Sequence, residues 1–267
     1  MGKLFAVVVV AIALGSAALF ALHVWWLPVD ISVHGSRIDH ELNQTMVAAG
    51  VLFVVAQLAL AVFAWRFGPG PAARAVKTFP GGATPMVIFA VVLVGIEILT
   101  LTLVGSKVWA GIYQTPADPT SFRIEVQGEQ FAFYFRYPGT DGRFGAMHPE
   151  LTNDATENFF GLDPANDTTA RDDIVVGSLT IPVNRPILLM LHAKDVIHAF
   201  YVPELRIQQD FVPGVVVPLH FTATKTGKFE IVCTQLCGLG HYNMRAFLEV
   251  MPAEQFDQWL KEKAAQQ

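Results

Sequence analysis

Cys233-Thr234-Gln235-Leu236-Cys237-Gly238-Leu239-Gly240-His241-Tyr242-Asn243-Met244 brings two thiols, an imidazole and a thioether into twelve consecutive residues. The chain has no other cysteine. Two cysteines cannot make the disulfide framework of a small secreted domain, so the pair is either a redox couple or a metal site. Thiolate and thioether sulfurs are soft donors that select copper, whereas imidazole suits copper, zinc and iron alike. A second imidazole, His198, stands upstream in Asp195-Val196-Ile197-His198-Ala199-Phe200-Tyr201-Val202-Pro203. A one-copper electron-transfer site takes two His, one Cys and a weak axial Met. That set is present here with one thiolate more, and two thiolates can bridge two coppers, spreading one electron over both metals. Gly238 and Gly240 let the backbone turn tightly around such a centre.

Other readings of the same residues stand beside this one. A disulfide between the two cysteines is sterically possible. Zinc takes Cys and His but gains little from Met. Thiol oxidoreductases prefer C-x-x-C to the C-x-x-x-C spacing found here. His198, His241 and Met244 are each ordinary packing residues when taken alone; their joint spacing with both cysteines is what points to a metal.

Around this stretch the second half of the chain reads as strands. Phe122–Val126 alternates, and Gln130–Tyr137 is aromatic-rich. Ile187–His192, Val215–Phe221, Lys228–Cys233 and Arg245–Met251 are short apolar runs, with turn signals at Pro138-Gly139, Pro213-Gly214 and Thr226-Gly227. The expectation is an all-β sandwich over residues 116–253, followed by a C-terminal helix and tail over 254–267 that begins at Pro252-Ala253-Glu254-Gln255. Residues 139–173 hold eight acids against two arginines and read as a solvated surface insertion.

The first half differs in texture. Leu4–Leu27, Met46–Trp65 and Met86–Gly105 are apolar runs of 24, 20 and 20 residues, each long enough to span a bilayer. Residues 1–115 are therefore expected to be a transmembrane helical region, with spans near 4–27, 46–65 and 86–110. The spans number three, or two if the first run is a cleaved signal. Arg66, Arg74 and Lys77 in the 66–84 loop place that loop inside, and Asp30, Asp39 and Glu41 mark the 28–45 loop as outside. The β region then lies on the outer face. Hydrophobic residues make up 52% and charged residues 15% of the chain, which excludes disorder and coiled coil. The second half carries twelve Lys and Arg against nineteen Asp and Glu, a balance that repels nucleic acid.

The chain resembles subunit II of the haem-copper oxidases, the cytochrome c oxidase subunit II family. The resemblance rests on C-x-x-x-C-G-x-x-H-x-x-M at 233–244, V-I-H-x-x-x-V-P at 196–203 and D-x-x-P-G at 210–214, and it covers about residues 46–265. It implies a cupredoxin-like sandwich in which the first histidine comes from an earlier strand and the other ligands from a loop between the last two strands. It implies a binuclear copper centre held by the side chains of His198, Cys233, Cys237, His241 and Met244 and by the backbone carbonyl of Gln235. It further implies that electrons arrive from cytochrome c or a membrane-attached cytochrome. They pass to haem in subunit I, where oxygen is reduced and protons are pumped; that oxygen site is in the partner, so no catalytic residue is assigned to this chain. Other oxidase subunits and membrane lipid are further implied partners. The implied location is a bacterial plasma (inner) membrane, with the copper domain on the periplasmic side.

Two departures stand out. Many members carry Glu where Gln235 stands, a carboxylate that helps hold magnesium at the boundary with subunit I; a neutral amide is a poorer ligand for a hard cation. The family's Q-W-Y-W stretch, whose tryptophans lie between the docked cytochrome and copper, corresponds to Gln130-Phe131-Ala132-Phe133-Tyr134-Phe135. Phe131 and Phe133 are then either the packed face of a strand or an electron-uptake surface altered for a different donor. Glu97, in mid-span, serves either a proton route or an interhelix hydrogen bond to subunit I. The acids of 139–173 either steer a basic cytochrome or decorate a solvated loop. Rival functions are the copper-containing electron-transfer subunit of a nitric oxide reductase and a copper-delivery protein. The latter predicts a thioredoxin-like α/β pattern.

Overall fold

A computed structural model describes residues 2–24, 26–67 and 83–266. Arg74 and Lys77 lie outside the described residues. The chain forms two compact units, residues 1–27 with 37–110 and residues 28–36 with 111–267. The nine residues 28–36 thus pack with the β structure rather than with the helices before it.

The first unit consists of helices. Helix α1 runs Gly2–Ala21, α2 Gly35–Phe67 and α3 Ala83–Tyr113. All three are long and apolar enough to cross a membrane, since twenty residues at 1.5 Å each reach about 30 Å. Helix α1 stops at Ala21, short of the expected end at residue 27, and residues 22–24 form a turn. Helix α2 starts eleven residues before the expected span at Met46, because its first turns are polar and extend past the apolar stretch. Ala6 and Val9 of α1 meet Ala61 of α2, small side chains that let two backbones approach closely. Glu97 and Thr100 of α3 share a groove with Glu41, Gln44 and Thr45 of α2.

The second unit is a sandwich of two five-stranded sheets. The strands are β1 Phe122–Glu129, β2 Ala132–Tyr137, β3 Ile174–Val176, β4 Leu179–Pro182, β5 Pro186–Ala193, β6 His198–Val202, β7 Ile207–Phe211, β8 Val217–Thr222, β9 Gly227–Val232 and β10 Arg245–Met251. One sheet has the order β3-β2-β1-β5-β8, the other β4-β10-β9-β6-β7. Ile124, Val126, Phe133, Phe135, Leu189 and Leu219 from the first sheet, and Ile181, Val202, Phe211, Ile231 and Leu248 from the second, are buried. Residues 28–36 are stitched to the sandwich by Ile31 N–H to Glu204 O at 3.0 Å, Val33 N–H to Thr222 O at 3.2 Å and Thr224 N–H to Ile31 O at 2.7 Å. Helix α4, Ala253–Ala264, begins after Pro252, which suits a helix start. It is held by Phe256, fully buried against Phe122 and near Tyr137. Such a ring contributes roughly 1.5–3 kcal/mol by burial.

The expected solvated insertion is not solvated throughout. Residues 139–173 fold as three short 3-10 turns and lie over the outer face of the first sheet. This cover explains why β1 is buried on both faces from Ile124 onward instead of alternating. Arg136 is only 1% exposed beneath the insertion. It pairs with Glu125 at 3.1 Å, donates to Gly145 O at 2.7 Å, and lies under the rings of Phe144 and Phe160. Burial pushes the nearby Asp173 carboxyl up to about 6, against the opposing pull of Arg136. Several acids of the insertion serve its own turns. Asp167 accepts from the Thr169 N–H and the Ala146 N–H, and Asp172 from Thr140 and the Asp141 N–H.

Candidate metal centre

His198 opens β6, and the 233–244 loop joins β9 to β10, its neighbour in the second sheet. The β9–β10 ladder ends at Val232 opposite Arg245, and Cys233 N–H then donates to Met244 O at 3.1 Å, closing the base of the loop. Inside it, His241–Asn243 make one 3-10 turn. Backbone bonds from His241 to Gly238 O at 3.1 Å and from Asn243 to Gly240 O at 2.9 Å hold that turn. Gly238 has φ +135°, a conformation side chains disfavour. A Cβ on Gly240 would stand 2.4 Å from the Phe131 ring.

The structure brings the expected ligands together. A ring nitrogen of His198 and both thiol sulfurs lie within 4.8 Å of one another, and all three residues are buried. The two sulfurs are 3.9 Å apart, far longer than a disulfide bond, and both cysteines are free. Cys237 Sγ lies 3.7 Å from His241 Nδ1 and 3.7 Å from Met244 Sδ. Cys233 Sγ lies 3.2 Å from the Gln235 carbonyl oxygen. His198 Nε2 meets Asp195 Oδ1 at 2.8 Å, while its Nδ1 is buried with no hydrogen-bond partner. With the imidazole neutral and its proton on Nε2 toward Asp195, Nδ1 would offer a lone pair, the form a metal takes.

The electrostatics are those of a ligand cluster. Burial alone would raise the Cys233 thiol, yet the neighbouring His198 imidazole, the backbone at Ala199 and Gln235, and His241 bring it down to about 6. Burial and the neighbouring Cys233 push Cys237 up to about 11. Burial lowers His198, but Cys233 and Asp195 outweigh it and hold the imidazole above its ordinary value. Partial burial raises Asp195, and hydrogen bonds from His198 and from the N–H groups of Gln130 and Val196 reverse this and keep it ionised.

This donor set fits copper. Two thiolates, two imidazoles, a thioether and a carbonyl are soft or intermediate donors. The 3.9 Å sulfur separation is shorter than two metal–thiolate bonds of about 2.3 Å each, so one metal can touch both sulfurs. The Gln235 side chain donates its amide to Asp210 at 3.3 Å, and as a neutral amide it is a poorer magnesium ligand than a carboxylate. Among the described residues, His198, Cys233 and Cys237 are the only grouped metal-ligating side chains.

Phe131 and Phe133 separate. Phe131 is 38% exposed and lies against Gly238 and Gly240 of the ligand loop. Phe133 is buried in the sandwich against Phe211, which makes it a core residue rather than a surface one. Leu236, Leu239 and Tyr242 of the loop are 80%, 96% and 90% exposed; an apolar rim of this kind marks an interaction surface. Two residues carry roles that spacing did not announce. Asp195 orients His198, three positions ahead of it, and Gln130 braces the loop by donating from Nε2 to Cys237 O.

Residues 160–251 match the family described as cytochrome C oxidase subunit II, periplasmic domain. The alternative cytochrome c oxidase subunit 2 of Bradyrhizobium diazoefficiens is 32% identical over 260 residues, 97% of this chain and 91% of that protein. Cytochrome c oxidase subunit 2 of Thermostichus vulcanus is 45% identical over 142 residues, 53% of this chain and 33% of that protein. The periplasmic domain of subunit II of cytochrome oxidase from Bradyrhizobium japonicum is a structural neighbour with 26% identity and a TM-score of 0.41, over 57% of this chain and 97% of that one. Three membrane-length helices followed by an outer-side β-sandwich, and near-full-length identity to the Bradyrhizobium diazoefficiens protein, make this chain a member of the cytochrome c oxidase subunit II family.

Proposed function

We propose that this chain is the electron-accepting subunit of a respiratory haem-copper oxidase. In this reading it takes single electrons from a reduced cytochrome and delivers them to haem in subunit I, in a bacterial plasma membrane with its β domain on the periplasmic side. Family membership supports a place in an oxidase complex whose catalysis belongs to a partner subunit. The observation that carries the finer reading is the buried convergence of two thiols, the free Nδ1 of His198, His241 Nδ1 and Met244 Sδ.

His198, Cys233, Cys237, His241, Met244 and the Gln235 carbonyl would hold two copper ions, which supply a one-electron couple. The chain's own residues set the conditions for it. Asp195 keeps the His198 proton on Nε2 and turns Nδ1 to the thiols. The low thiol value of Cys233 provides a thiolate near neutral pH. Gln130, the Cys233–Met244 hydrogen bond and the 3-10 turn hold the loop in one shape, which keeps ligand motion small when charge changes. Phe131, between solvent and the loop, is the residue on the donor side.

Electron spin resonance of the copper-loaded full-length chain in detergent tests this. Hyperfine structure from one electron shared over two copper nuclei is the expected result; a single-copper or silent spectrum would break the reading. Oxygen consumption by the purified complex, rather than nitric oxide reduction, is the second expected result.

A further inference from the structure

The insertion that covers the first sheet leaves a gap where β1 begins. There the 142–147 loop and the strands enclose a cleft of about 680 Å³ whose walls carry Arg123, Arg136, Arg143 and Arg185, with Glu125 as the one acid of the lining. Arg185 reaches its nearest acid, Asp257, only at 4.0 Å and on the solvent side. The guanidinium of Arg123 faces Phe144 at 5.4 Å and that of Arg185 faces Phe122 at 4.7 Å. Rings that cover guanidinium faces leave the N–H edges for other partners.

Four buried side-chain atoms in this lining have no hydrogen-bond partner. They are Nε and Nη1 of Arg136, a side chain 1% exposed, Oγ of Ser121, and Oε2 of Glu125, which meets Arg136 as an ion pair at 3.1 Å. Buried polar groups are paired in about nine cases of ten, so three unpartnered donor atoms in one lining, two on Arg136 and one on Ser121, call for an explanation. A guanidinium fork and a hydroxyl are complementary to the oxygens of phosphate or carboxylate. The copper cluster and its loop share no residue with this cleft.

We propose that the cleft binds a compact, multiply charged oxyanion from solution, of the phosphate or polycarboxylate type. Arg143 and Arg185 stand at its mouth and receive the anion, and Arg136 with Ser121 forms its floor. The ligand pairs the guanidinium edges that Glu125 at 3.1 Å and Asp173 at 3.8 Å from Arg136 leave open.

Calorimetric titration of the full-length chain in detergent, at low ionic strength, tests this with pyrophosphate and, separately, citrate. The comparison protein carries Arg143→Gln and Arg185→Gln together, both on side chains that reach solvent. Saturable binding of one anion per chain is expected, weakened about tenfold or more in the double variant. Saturation by pyrophosphate alone assigns a phosphate-type ligand, by citrate alone a polycarboxylate, and by both a general oxyanion site; each supports the proposal. Absence of saturable binding with either anion overturns it, as does equal binding by the double variant.

Discussion

Asp195→Ala tests how the ligand cluster is organised. The Asp195 carboxylate accepts from His198 Nε2 at 2.8 Å, from Gln130 N–H at 2.8 Å and from Val196 N–H at 2.7 Å. Alanine removes all three hydrogen bonds. The two backbone donors belong to exposed residues and can turn to water, so the fold should lose only about 1 kcal/mol. His198 has no such recourse, since it is fully buried. Its Nε2 proton loses its partner, and the ring is free to carry the proton on Nδ1, the nitrogen otherwise left as a lone pair. Loss of a partner that orients a metal-binding histidine lowers metal affinity by about 10–100-fold, equivalent to roughly 1.4–2.8 kcal/mol. Asp195→Asn keeps one oxygen acceptor and should hold affinity within about threefold of the parent if the acceptor, not the charge, is what matters. Competition for copper(I) between the full-length chain and a chromophoric chelator measures both variants. Unchanged affinity in the alanine variant would refute the reasoning, and so would an asparagine variant as weak as alanine.

Other expectations follow from the same geometry. Gly240→Ala should abolish ordered copper binding, because its Cβ would stand 2.4 Å from the Phe131 ring; adding Phe131→Ala should restore it, read by copper absorption. Phe131→Ala alone should slow electron uptake from the donor without bleaching copper, and unchanged stopped-flow kinetics would remove this residue from the donor path. Asp173 titrates at about 6 in the folded chain against 3.8 for the free side chain. Between these values the native state binds more protons than the unfolded one, so this group's contribution to stability falls as pH rises and levels off above about 6. The loss is about 3 kcal/mol. Asp173→Asn should remove that fall, seen in denaturant midpoints from pH 4 to 7. Arg136→Met should cost about 3–5 kcal/mol in the same assay, because it removes the buried guanidinium between Glu125 and Asp173 and leaves Glu125 only the half-exposed Arg123.

The candidate ligand cluster was legible in sequence because most of its members are rare residue types at short separations, Cys233 to Met244 within one loop. Their donor chemistry does not depend on the fold. The apolar runs were legible for a similar reason: hydrocarbon length is a local property, and a helix satisfies its backbone within itself. Local pattern misjudged β1 and the insertion. Val126, Gln127 and Glu129 are buried on opposite faces because a segment distant in sequence lies over one of them. Phe131 and Phe133, two residues apart and alike in composition, part company because one caps the loop and the other fills the core.

By itself, then, the sequence determined which atoms can bind metal and which segments can cross a membrane, since both follow from side-chain chemistry and local length. Only the tertiary structure decided which nitrogen of His198 is free, that Asp195 and Gln130 hold the cluster, and that four arginines share one cleft. Those are relations between residues up to 107 positions apart, as between Gln130 and Cys237. Hydrogen bonds and buried charges act over a few ångströms of space, and folding alone decides which residues come that near.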